Sequence, residues 1–369
     1  MRWPRGLVGA MIVMAACGHG DRLTVVLAVL PSELPAYRAV VSDWERTSGR
    51  EVVLVAQQYA DIRRALQAEA AAGSGTIDLV ELDVYSLAPA GAAVRILDPG
   101  PDLVDALDPT AVRAGTIDGL RFLPHRLLWQ ALVYDADVLA KPPATWDELR
   151  AVARAHPGRI GLKGARYEGL TCDVLPFVWA AGGSGDVLDD AGARAAFQLF
   201  ADLAPSLHPE SATFKEATIA EAMARGELVL QLNWPSVMSL YAAQGLAPGR
   251  LRSAPLPAGP AGRATVLGGG YLAIPRNAPH ADDAAALVRY LLGHDAQTRL
   301  AHDLGWFSAR RDVPIGDDPL LAGFVAMRDV VRPRPERADY PALSRAWQDA
   351  VRAIAFDGAQ PDQVVQERR

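Results

Sequence analysis

The chain has 369 residues, half of them hydrophobic, and a formal net charge of −6. That length and apolar content suit a large globular protein of two lobes or domains. No run of five or more basic residues is present, which speaks against a nucleic-acid partner.

Taken in order, the first 17 residues are not part of the fold. Arg2 and Arg5 precede an apolar run, Leu7 to Met14, that is too short to span a bilayer. Met14-Ala15-Ala16-Cys17 follows. This resembles a bacterial lipoprotein signal, in which Cys17 becomes the lipidated N-terminus; the alternative is an ordinary cleaved signal with an incidental cysteine. The second cysteine is Cys172, so with Cys17 acylated no intrachain disulfide is possible and Cys172 is expected as a free, buried thiol.

Arg22 to Val29 reads as a continuous apolar strand. Leu34, Tyr37, Val40, Val41 and Trp44 then fall at helical spacing, with Gly49 placed as the stop. Glu51 to Ala56 is a second strand, Asp61 caps a helix from Ile62 to Ala72, and Ile77 to Asp83 is a third strand. Strand–helix–strand repetition at this spacing predicts βαβ units and a parallel sheet. Arg121 to Pro124 and Leu127 to Tyr134 are strand-like, and Thr145 with Glu148 forms a capping box for a helix reaching about His156. Helices are expected over Asp190 to Ala204 and Thr218 to Arg225, and a strand over Leu228 to Leu232. Leu251 to Gly262, rich in Pro and Gly, reads as a connection. Val266 to Ile274 is a strand interrupted by Gly268, Gly269 and Gly270, read either as a bend between lobes or as a plain β-bulge. Helices follow at about His280 to Leu292, Asp295 to Leu304 and Tyr340 to Phe356.

No G-x-S-x-G, Walker A, H-E-x-x-H or post-strand G-x-G-x-x-G motif occurs, and the seven histidines are scattered. Neither an enzyme nor a bound cofactor or metal is therefore expected, although paired carboxylates for glycoside hydrolysis need proximity only in space. What stands out is aromatic and polar residues at strand ends: Asp83, Trp129, Tyr134, Tyr167 with Glu168, and Tyr271. Trp234 is foremost among them. It stops a short strand between Asn233 and Pro235, where an α/β sheet presents side chains to a ligand crevice. A flat indole beside an amide suits the apolar face of a sugar ring; the other reading is a core Trp at a strand end.

Several segments resemble the extracellular solute-binding proteins of family 1. They are Asp118-Gly-Leu-Arg-Phe-Leu-Pro124, Tyr134-Asp-Ala-Asp-Val-Leu139, Pro142-Pro-Ala-Thr-Trp-Asp-Glu-Leu149, Gly268-Gly-Gly-Tyr-Leu-Ala-Ile-Pro275 and Gly305-Trp-Phe-Ser-Ala-Arg310. Lys163 to Cys172, Leu232-Asn-Trp-Pro235 and Val331-Arg-Pro-Arg-Pro335 are similar to its trehalose/maltose-binding branch. The resemblance implies an α/β, two-lobed periplasmic-binding-protein fold (type II-like), each lobe a mixed, mainly parallel sheet flanked by helices, with ligand between the lobes. Residues 18–128 with 272–313 would form one lobe and 132–266 with 316–369 the other, with crossings at 128–132, 266–271 and 313–317. Carried over residue by residue, Trp234 is the stacking platform. Asp83 and Glu33 accept bonds from sugar hydroxyls, and Arg332 is the sugar-contacting arginine. Gly269, Gly270 and Tyr271 line the hinge side, and Tyr167 and Glu168 belong to the second lobe. Leu128 stands where relatives carry an acidic residue. The implied function is a monomeric, lipid-anchored, sugar-binding subunit of an ABC importer, with a permease as partner and no catalysis; the alternative is a secreted carbohydrate-active enzyme using cleft carboxylates.

Overall fold

A computed structural model of the chain describes residues 22–29, 33–236, 241, 244–246, 249–316, 318–337 and 339–366. The leader and Cys17 lie outside them. Ten strands are described: β1 Arg22–Leu27, β2 Glu51–Ala56, β3 Leu79–Asp83, β4 Leu123–Trp129, β5 Ala131–Asp135, β6 Leu230–Asn233, β7 Leu251–Ala254, β8 Thr265–Ala273, β9 Phe307–Ser308 and β10 Val331–Arg332.

They form two sheets. The larger has the order β2-β1-β3-β8-β4-β9, with β10 alongside β8, and the smaller has the order β6-β5-β7. The apolar run of β1 explains its central place, paired in parallel with β2 on one side and β3 on the other. β8 then enters antiparallel between β3 and β4, making the sheet mixed. Both pairings in the smaller sheet are antiparallel rather than parallel. The chain passes from the large sheet to the small one between β4 and β5, at Gln130. There Thr265 Oγ1 accepts from the Gln130 N–H at 3.1 Å and donates to the Gln130 carbonyl at 2.8 Å.

Local signals place the helices. Leu34–Ser48 buries Tyr37, Val40, Val41 and Trp44 along one stripe and ends at Gly49 in the left-handed region, φ 71°. Thr145 Oγ1 accepts from the Glu148 N–H at 3.2 Å and starts the helix Trp146–Ala155. The helix Tyr59–Ala72 begins earlier than a cap at Asp61 allows; Asp61 lies in its first turn, where a carboxylate favours the positive end of the helix dipole. Glu168–Ala180 is buried at every position after Glu168, because it packs against Ala191–Leu203, Tyr340–Phe356 and β8. Cys172 lies within it as a buried free thiol. Leu251–Ala254 is a strand, not the expected connection: its short alternating stretch pairs with Leu132–Asp135 before the Pro/Gly run begins.

The glycines of β8 have a steric reason. A Cβ at Gly268 would lie 2.8 Å from the Trp234 indole, one at Gly269 2.3 Å from the Arg126 carbonyl, and one at Gly270 1.9 Å from Glu81 Oε1. Gly269 also has φ 143°, which favours glycine. Residues 267–272 pair with β4 with one register shift, between Pro124 and Arg126 opposite Tyr271 and Gly270, and the glycines allow close approach inside the sheet. Gly270→Ala should therefore lower the urea midpoint by an amount equivalent to about 1–3 kcal/mol, because the Glu81 carboxylate it meets is itself fixed. Gly91→Ala, whose Cβ would meet Ile117 at an ordinary 3.5 Å, is the matched control and should be neutral or slightly stabilising.

Candidate functional site

Side chains two residues apart on a strand share a face. Glu81 and Asp83 therefore point the same way from β3, and that is the face toward which Gly270 would direct a side chain. Gly268, also two residues away, has the Trp234 ring over it. Trp234 is half-buried. It comes from the end of β6 in the small sheet and lies across β8 of the large one. Its approach is fixed locally: the Trp234 N–H donates to Asn233 Oδ1 at 2.9 Å, and Asn233 Nδ2 donates to the Glu216 carbonyl at 3.2 Å.

Asp83 and Glu168 are joined through Arg334, which sequence reasoning missed. Arg334 Nη2 lies 2.9 Å from Asp83 Oδ1, and Nη1 lies 2.9 Å from Glu168 Oε1. Glu168 also accepts from the hydroxyls of Tyr340 and Ser344, the latter at 2.6 Å. The guanidinium is 6% exposed, packs 5.1 Å from the centre of the Tyr85 ring, and reaches Cys172 Sγ at 3.6 Å. Burial raises the Asp83 pKa, more than the Arg334 charge lowers it. Burial likewise pushes the Cys172 thiol well above its ordinary value.

Two residues back, Glu81 meets a different balance. It is fully buried, accepting from the Ala28 N–H at 3.0 Å and standing 3.2 Å from His125 Nδ1 and 3.0 Å from Arg126 Nε. Burial alone would raise its pKa; the Arg126 charge and these hydrogen bonds outweigh burial and hold it at about 2. Arg126 also stacks 4.3 Å from the centre of Trp306, whose indole N–H donates to Glu33 Oε1 at 2.9 Å. Arg126 and Trp306 were likewise missed. Trp306 lies in the Gly305-Trp-Phe-Ser-Ala-Arg310 segment and Arg334 in Val331-Arg-Pro-Arg-Pro335, but nothing in either stretch tells which side chain turns inward.

The other expected site residues divide. Glu33, Asp83, Glu168 and Trp234 lie in the networks just described. Arg332 is exposed and sits on β10 opposite Val266, just before the glycines. Tyr167 is half-buried at the start of the Glu168 helix, its ring 5.3 Å from Lys215 Nζ. Gly269 and Gly270 contribute backbone alone. Three aromatics belong to the core instead. Trp129 is buried and donates to the Phe324 carbonyl at 2.7 Å, Tyr271 is fully buried and donates to the Ala111 carbonyl at 3.1 Å, and Tyr134 is buried within β5. Each lies inside a paired strand, where bulk fills the space between sheet and helices. Among the described residues, no group of three or more His, Cys, Asp or Glu is placed to hold a metal.

The two sheets approach each other at β8, where the Trp234 indole from the end of the small sheet lies over Gly268 of the large one. The chain matches the bacterial extracellular solute-binding proteins over residues 39–322 and belongs to that family. A relative from Deinococcus radiodurans, named a probable ABC transporter-binding protein, is 28% identical over 364 residues, covering 89% of this chain and 83% of the relative. Among solved structures, maltose-bound MalE3 of T. maritima is 26% identical with a TM-score of 0.79, over 94% of this chain and 97% of that one. The sugar-binding protein MalE of Xanthomonas citri is 20% identical with a TM-score of 0.81, over 94% and 95% of the two chains. A solute-binding protein of Thermotoga lettingae bound with alpha-D-tagatose is 22% identical with a TM-score of 0.79, over 95% and 98%. The fold is thus the two-lobed α/β fold of these proteins.

The Glu81 network makes a pH forecast. Its folded pKa of about 2 is below the ordinary 4.5, so its contribution to stability is complete above 4.5 and is lost as pH falls toward 2. Urea midpoints measured from pH 5 down to 2.5 should fall, and the fall should be shallower in Glu81→Gln. Parallel slopes for the two proteins would remove Glu81 from this role.

Proposed function

We propose that this protein is the sugar-capturing subunit of an ABC importer, holding a di- or oligosaccharide of the maltose or trehalose kind between its lobes and delivering it to a permease. Trp234 is the observation that carries the reading: a half-buried indole from one sheet laid over the side-chain-free floor of the other. An indole held on one face and open on the other suits the C–H side of a pyranose. Asp83, Glu168, Glu33, Arg332 and Tyr167 supply the hydroxyl partners, and the backbone of Gly269 and Gly270 allows close approach. The names of the relatives, an ABC transporter-binding protein and maltose- and sugar-binding proteins, support this choice.

The lobes in this reading are residues 18–128 with 272–313 and residues 132–266 with 316–369. The protein acts as a monomer and does no covalent chemistry. Glu168 speaks for that last point, since its oxygens already accept from Arg334, Tyr340 and Ser344, an arrangement for holding charge rather than moving protons. Incubation with labelled disaccharides should give stoichiometric binding and no product; turnover would favour the glycosidase alternative.

A thermal-shift screen over mono-, di- and oligosaccharides tests the ligand class. At a hundred times Kd, stabilisation should be about 2.7 kcal/mol. Trp234→Ala should weaken the best sugar by at least about thirtyfold, as loss of a central aromatic commonly costs about 2 kcal/mol or more. Its circular dichroism and melting should stay near those of the parent, since the ring is only half-buried. Normal sugar binding by that variant would take Trp234 out of the site, and no response to any sugar in the parent would sink the ligand class.

The same reading places the mature chain outside the cytoplasm, tethered through acylated Cys17. One acyl chain anchors only marginally, so multiple acylation is implied. In detergent partitioning from a bacterial host, the parent should enter the detergent phase and Cys17→Ser the aqueous one. Equal partitioning of the two would exclude the anchor.

A further inference from the structure

The Arg334 bridge has a property that neither of its carboxylates shows alone. Asp83 ends β3 in the large sheet, beside Gly270. Glu168 opens the helix Glu168–Ala180, which packs with the helices of the small-sheet half. Arg334 reaches both from the extended strap 333–337 that follows β10. Pro333 and Pro335 flank it, restricting the backbone on either side. Tyr85 covers one face of the guanidinium and Cys172 lies at its edge. Every partner of this bridge is a side chain of the protein itself.

We propose that Arg334 is an ionic latch between the lobes, a positioning residue that holds Asp83 and Glu168 at the separation the sugar site requires and biases the cleft toward closure before sugar arrives. The planar fork of an arginine can serve two carboxylates at once with separate nitrogens, which a lysine ammonium, a compact point charge, does less well. One guanidinium serves two carboxylates, so neither Asp83 nor Glu168 has a counter-ion of its own and each depends on Arg334 staying in place. Glu168 and Arg334 belong to one lobe and Asp83 to the other, so opening requires breaking the Arg334–Asp83 contact. The Glu81–Arg126 pair lies wholly on the large-sheet side, and the Lys163–Asp173 pair, 2.6 Å apart, on the small-sheet side; lobe motion leaves both intact. The inference rests on the two-lobed reading of the proposed site.

The test is small-angle scattering of the purified full chain without added sugar, so its failure leaves the question of sugar binding open to the separate thermal-shift screen. A compact chain of this length has a radius of gyration of about 21 Å. Arg334→Gln and Asp83→Asn should each expand beyond the parent by more than the scatter of repeat measurements, and the double variant should expand no further, because both changes cut one link. Arg334→Lys should fall between Arg334→Gln and the parent. If Arg334→Gln fails to fold, Asp83→Asn, which keeps the shape of the side chain, decides alone. A folded Asp83→Asn with the parent radius, or additive expansion in the double variant, would overturn the latch.

Discussion

The site depends on three consecutive residues that have no side chains. At positions 268, 269 and 270 a Cβ would strike, in turn, the Trp234 indole, the Arg126 carbonyl and the Glu81 carboxylate. These neighbours come from just past β6, from β4 and from β3, so one bare stretch of β8 lets both sheets approach the same strip of backbone. Glycine in a strand costs conformational entropy. Here that cost is offset by the position of β8, paired with β3 and β4 and buried along its whole length. The glycines let neighbouring groups come down onto the strand.

Over that strip of backbone, two carboxylates two residues apart on one strand are treated in opposite ways. Burial disfavours the charge of both. Glu81 has Arg126 close by, together with bonds from Ala28 and His125, and these outweigh burial. Asp83 shares Arg334 with Glu168, whose own negative charge adds to the upward pull, and burial prevails. A dedicated counter-ion thus produces a permanent structural charge, and a shared one produces a charge that can be rearranged. The first kind suits a scaffold and the second a contact that can be remade.

How much of this was legible in the sequence follows from the range of the interaction concerned. The helix Leu34–Ser48, the Thr145–Glu148 capping box and the helix Tyr340–Phe356 were legible because caps and apolar spacing act within one or two turns. The strand Leu251–Ala254 was not, since four residues give too little alternation to stand out beside a Pro/Gly run. Trp129, Tyr134 and Tyr271 read as ligand contacts but lie in the core, because an aromatic residue in a strand looks the same whichever way it faces. The Arg-Pro-Arg-Pro motif pointed to this strap and to Arg332, but gave no sign of Arg334. Arg332 faces solvent while Arg334, two residues on, is buried against Asp83 and Glu168. The partners that draw it inward are 251 and 166 residues distant in the chain, and no local pattern encodes them.

The same long-range contacts determine which parts can move. Trp234 is held from behind within the small-sheet half: Lys163 Nζ donates to the Leu232 carbonyl at 3.0 Å, and Asn233 fixes the next peptide. Lys163 is fully buried and is balanced by Asp173, which also accepts from Gln130 Nε2 at 2.9 Å at the crossing between sheets. Separating Lys163 from Asp173 would leave an uncompensated charge in the interior, a cost that strongly disfavours it. The van der Waals contact of the indole with Gly268 carries no charge and separates at far lower cost. The indole is thus fixed by its own half and only rests on the other. The buried charges thus hold each half together from within, the Glu81–Arg126 pair on the large-sheet side and the Lys163–Asp173 pair on the small-sheet side.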